Sequence, residues 1–123
     1  MKEEQAMAFS TLAVQAVEDI TIVRVLEHRI FLKIADHFRD EIVQLIEGGA
    51  HKVIVDLSTV NVMNSSGLGV LILARDMLLK KGGVILLCGL VNMMKEIFTR
   101  MHLDDFFTIY PDCQTALAEM KKA

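Results

Sequence analysis

The chain has 123 residues, the size of one domain, and at that length folding buries roughly 65–70% of the unfolded chain's surface. Hydrophobic residues make up 53% of it, which excludes a disordered chain and leaves apolar surface for a partner. A formal charge of −3 argues against a nucleic-acid binder, which shows a basic stripe.

Met1-Lys2-Glu3-Glu4-Gln5 carries acids and leads into no apolar h-region, so residues 1–9 are expected to be a mobile N-terminal segment, not a signal peptide. Leu12, Val14 and Ala16 alternate, and so do Ile20 and Ile22, with Glu18-Asp19 between the runs. This predicts two strands joined by a tight turn, the second reaching Leu26. From Ile34 the period becomes helical: Ile34, Phe38, Ile42, Leu45 and Ile46 share one face, and Gly48-Gly49 ends the helix. Val53-Ile54-Val55 is wholly apolar and β-branched, the mark of a strand covered on both faces.

After the polar segment Ser58 to Ser66, a helix is predicted from Ser66 to Lys80, with Val70, Leu71, Leu73 and Met77 contributing to its buried face. Lys80-Lys81 suits the negative end of that helix dipole. Val84 to Cys88 is another buried strand. Met94, Ile97, Phe98 and Met101 repeat at helical spacing, with Asn92 as the expected cap. Phe107 to Tyr110 is a last short strand, and Pro111-Asp112 opens a helix whose face is Cys113, Ala116, Leu117 and Met120.

The order β-β-α-β-α-β-α-β-α implies one α/β domain over residues 10–122. Its sheet is mostly parallel, with one antiparallel edge strand. Leu57 to Ala74 carries no charge, but Ser58, Thr59, Asn61, Asn64, Ser65 and Ser66 interrupt it, so membrane insertion is not expected. Cys88 and Cys113 lack Cys-x-x-Cys spacing, as in a reducing compartment. The expected location is the cytoplasm.

The loop Asn61-Val62-Met63-Asn64-Ser65-Ser66-Gly67-Leu68-Gly69 follows a buried strand and opens a helix, where open α/β sheets place their sites. Ser, Asn and Gly there serve equally as caps and close-packing residues. The functional alternative is anion chemistry on free N–H groups. Ile72 occupies the third glycine position of a dinucleotide fingerprint, and no Gly-Lys-Ser/Thr occurs. Neither Ser65 nor Ser66 has the glycine two residues earlier that a nucleophile elbow needs. His102 and Asp105 lack further ligands in spacing, so neither a metal nor a cofactor is expected. What survives is a serine that receives a phosphate.

Residues Val53 to Leu71, read through Asp56-Leu57-Ser58 and Asn64-Ser65-Ser66-Gly67-Leu68-Gly69, resemble the signature of STAS domains of the bacterial anti-sigma factor antagonist type. That signature runs from a strand through Asp-Leu-Ser to Asp-Ser-Ser/Thr-Gly-Leu-Gly and a helix. The resemblance implies a non-enzymatic transcription regulator that binds an anti-sigma factor with serine kinase activity and frees a sigma factor. By position it makes Ser65 the phosphoacceptor, with Asn64, Ser66 and Gly67 forming the partner-binding switch loop. Asn64 stands where the family has Asp, and in the segment Leu26 to Phe31 His28 and Phe31 replace a usual Gly and Asp. Two other functions are weighed: a STAS accessory subunit of a membrane transport ATPase complex, and a serine hydrolase using Ser65.

Overall fold

The computed structural model describes residues 9–122. Of the segment 1–9, all but Phe9 lies outside the described residues, and Phe9 packs half-buried against the core. The elements in order are β1 (Leu12–Val17), β2 (Ile20–Val25), β3 (Arg29–Ile30), α1 (Leu32–Glu47), β4 (Lys52–Asp56) and β5 (Val62–Met63). They continue with α2 (Ser65–Lys80), β6 (Val84–Cys88), α3 (Asn92–Arg100), β7 (Ile109–Tyr110) and α4 (Cys113–Lys122).

The main sheet has the order β1-β2-β4-β6-β7, with β1 antiparallel to β2 and every other pair parallel. That is the sheet the alternation predicted. Its two innermost parallel strands bury both faces because Val53 to Val55 of β4 and Val84 to Cys88 of β6 form unbroken apolar runs. Val53, Val55, Ile85 and Leu87 join the larger core with buried residues of α1, α2 and α3. Ile54, Leu86 and Cys88 turn the other way and meet Ala116 and Met120 of α4. Among the described residues no helix is long and apolar enough to cross a membrane.

Several local expectations need correction. β3 and β5 form a separate parallel pair, Arg29 beside Val62 and Ile30 beside Met63. Two-residue strands leave no run for a period-2 pattern to register, which is why the sequence order lacks them. β2 stops at Val25, although the N–H of Leu26 still bonds the Thr11 carbonyl at 2.8 Å. The last strand shrinks to Ile109–Tyr110, and Phe107 is buried outside it. Asn92 is already helical, and Val91 holds the cap position without a side-chain bond. Met101 ends α3 as an exposed residue instead of continuing its apolar face.

In α2 the deeply buried residues are Leu68, Val70, Leu71, Ala74 and Leu78, while Leu73 and Met77 are only half-buried. Lys81, at the C-cap of α2, has a second role. Its Nζ donates across to the Ile46 carbonyl at 2.6 Å, so it satisfies the C-terminal end of α1. Gly49, at φ 119°, makes the left-handed step after α1 that a side chain would resist.

Candidate functional site

β2, β4 and β6 run parallel, so the helices that follow them all begin at one edge of the sheet. The first turns of α1, α2 and α3 all lie on that side, and none of them contains a carboxylate. The helix macrodipoles put partial positive charge at this edge. Leu32 and Met93 stand in the first turns of α1 and α3, with 79% and 55% of their surface exposed. Leu32 also adopts φ 50°, a backbone conformation that a bulky side chain resists.

The loop before α2 is held by β3. The Asn64 N–H donates to the Ile30 carbonyl at 3.2 Å, and the N–H groups of Asn61 and Val62 both reach the His28 carbonyl. The His28 Nδ1 lies 3.1 Å from the Thr59 carbonyl oxygen, so this histidine is tied to the loop's other end. Extending the register from Ile30 and Met63 sets Phe31 level with Asn64. The segment from Leu26 to Phe31 therefore lies beside the serine loop. Its side chains there are an aromatic ring with the Arg29 guanidinium 5.5 Å from its centre, where the family pattern has an acid.

Asn64 is the N-cap of α2, extended at φ −88° and ψ −175°, and its Oδ1 accepts from the Gly67 N–H at 3.2 Å. A neutral amide thus performs the capping that a carboxylate would perform. Ser65 and Ser66 are the first two helical residues, and both are exposed. Ser65 begins the helix one residue before the predicted Ser66. Gly67 is buried; a Cβ there would lie 2.9 Å from Ile30 Cγ2 and 3.0 Å from Met63 Cβ. Only glycine lets α2 approach the β3–β5 pair so closely. Gly69, by contrast, faces open space.

The four residues thus divide their roles: Asn64 and Gly67 fix the helix start, while Ser65 and Ser66 present hydroxyls at the exposed edge. A STAS domain family model matches residues 11–116. The chain belongs to the STAS domain family. No curated protein sequence matches it.

Among solved structures, the STAS domain resembles an anti-sigma-factor antagonist STAS domain protein of Planctomyces limnophilus at TM-score 0.81 and 21% identity, over 92% of this chain and 99% of that one. The phosphorylated form of the Bacillus cell fate determinant SpoIIAA is similar at TM-score 0.67 and 17% identity, over 88% and 97%. The murine solute carrier 26 family member A9 anion transporter is also similar, at TM-score 0.75 and 17% identity, over 89% of this chain but 19% of that one. At these identities the likeness is one of fold.

Proposed function

We propose that this STAS domain is an anti-sigma factor antagonist, a cytoplasmic binding module without catalytic activity of its own. Its partner is an anti-sigma factor with serine kinase activity, and binding frees the sigma factor. Ser65 is the phosphoacceptor. The observation that carries this reading is the exposed Ser65 at the first position of α2, with the exposed apolar residues Leu32 and Met93 in the first turns of α1 and α3.

A phosphate on Ser65 adds about −1.5 to −2 charge. The N-terminal N–H groups and the dipole accept that charge, and the acid-free first turns add no repulsion, so the fold tolerates it. A partner lying over Leu32 and Met93 must desolvate the same charge, so binding weakens. That SpoIIAA, a protein of the same fold, has a phosphorylated form supports phosphorylation as the means of switching. The test is capture of partners from native cells with the tagged domain, followed by phosphopeptide mass spectrometry. A kinase-type anti-sigma factor and phosphate on Ser65 are expected; phosphate confined to another residue overturns the assignment.

The likeness to the anion transporter favours a second reading, in which the domain packs on a membrane transport complex. Recovery of a transport ATPase in the same capture, without an anti-sigma factor, would select it.

A further inference from the structure

Three side chains that lie far apart in sequence meet at the ends of their elements. Asp56 ends β4 and Cys88 ends β6, and the ladder sets these two residues side by side. Cys113 opens α4, just after Tyr110, the neighbour of Cys88 on the other side. Cys88 belongs to the smaller core beneath α4, and Cys113 packs half-buried against that core. The two thiol sulfurs and a carboxylate oxygen of Asp56 lie within 4.8 Å of one another.

From this juxtaposition we propose that Asp56, Cys88 and Cys113 form a binding site for a divalent cation of the zinc class. Two sulfur donors select a borderline-soft ion over magnesium or calcium, which take all-oxygen shells. Donors on a tetrahedron with bonds of about 2.0–2.3 Å stand roughly 3.5–3.8 Å apart, so the cluster closes by at most about 1.3 Å. On binding, each thiol releases its proton to water and the sulfurs ligate as thiolates.

Two surrounding features fit such a site. Asp56 Oδ1 accepts from the Ser58 N–H at 2.9 Å, which orients the carboxylate as an outer-shell bond does around a metal ligand. A cleft of about 160 Å³, lined by Asp56, Cys113, Gln15 and Arg24 among others, adjoins the cluster. A water occupies about 30 Å³, so the cleft has room for a fourth ligand. Spacing along the chain hides this cluster because its members come from three separate elements. The proposal departs from the expectation, drawn from spacing alone, that no metal binds. Because Ser58 begins the crossover to Ser65, a cation on Asp56 braces the base of the serine loop.

The test is titration of the fully reduced protein with Co2+, followed by displacement with Zn2+. One equivalent of Co2+ should give intense tetrahedral d–d bands and a thiolate-to-cobalt charge-transfer band, both erased by Zn2+. Half-buried Cys113 is the first position to vary. Cys113→Ser should abolish the charge-transfer band or weaken it at least twofold, and Asp56→Asn should lower affinity roughly tenfold or more. Circular dichroism confirms that each variant is folded. Thermal unfolding gives a second readout: Zn2+ should raise Tm for wild type and not for Cys113→Ser. The absence of a charge-transfer band, or an equal band and Tm shift in Cys113→Ser, overturns the proposal.

Discussion

The Asn64 side chain caps the helix that its neighbour Ser65 begins, through a 3.2 Å bond from the Gly67 N–H. Capping therefore needs no charge at this position. Asn64→Ala should lose about 0.5–2 kcal/mol of stability, the ordinary cost of a missing cap. Asn64→Asp should match or exceed wild type, since a carboxylate at a helix N-terminus is favourable by about 0.3–1 kcal/mol. Chemical denaturation of both variants checks the pair.

Two glycines in the first turns of α2 should respond oppositely to alanine. At Gly67 the new Cβ would meet Ile30 and Met63 at 2.9 and 3.0 Å, and such overpacking costs about 1–3 kcal/mol. The gain in helix propensity, roughly 1 kcal/mol, does not cover that. At Gly69 nothing stands within 4 Å, so Gly69→Ala should stabilise by about 0.5–1 kcal/mol. Destabilisation by both would mean that helix start geometry, not contact, sets the cost.

Leu71 is fully buried, whereas Leu73 is half-buried along the side of α2 that faces Arg39, Val43 and Gln44 of α1. Leu71→Ala should cost about 2–5 kcal/mol. Leu73→Ala should cost clearly less, since much of its side chain stays in water in both states. Equal losses in urea denaturation would place Leu73 in the core after all.

This pair also shows what the sequence could and could not convey. The alternating β1–β2 hairpin, the wholly apolar Val53 to Val55 and the glycine stop after α1 were legible because each has its own local pattern. The phase of α2 was not. Val70 to Ala74 is apolar at every position, so no polar face marks which side is inward. The serine loop was legible as a helix start, but the clasp from Ile30 and His28 depends on β3, whose two residues leave no period. The cluster of Asp56, Cys88 and Cys113 needs the strand order before it exists at all.

Acid should release the chain's N-terminal anchor. Glu41 on α1 accepts from the backbone N–H and hydroxyl of Ser10 and from those of Thr11, at 2.6–2.9 Å. Burial pushes its carboxyl up, but the hydrogen bonds from Thr11 and Ser10 outweigh this and hold it below its ordinary value of 4.5. The unfolded chain then binds more protons than the folded one as pH falls through this range. The contribution is complete above the ordinary value and is lost as pH falls through the lowered one. The stability gap between wild type and Glu41→Gln should therefore narrow from neutral pH to about pH 3. A gap that is unchanged over that interval contradicts the assignment to Glu41.

The sharpest test of the switch is charge at Ser65 with the fold held constant. Ser65→Asp places a carboxylate at the first position of α2, where the dipole favours it by about 0.3–1 kcal/mol, so thermal stability should be kept or raised. A partner covering Leu32 and Met93 must desolvate that charge, at a cost of about 1–3 kcal/mol or more. Partner affinity should accordingly fall about fivefold to more than a hundredfold, on the scale of 1.4 kcal/mol per factor of ten. Ser65→Ala removes the acceptor and adds no charge, so it should bind at least as tightly as wild type. Leu32→Ala separates contact from charge: with 79% of its surface exposed it should barely alter stability, yet it should weaken binding by itself. Calorimetric titration of the four proteins against the captured partner reads all of these at once. Equal affinity for Ser65→Asp and Ser65→Ala would place the partner elsewhere on the domain, away from the edge where the three helices begin.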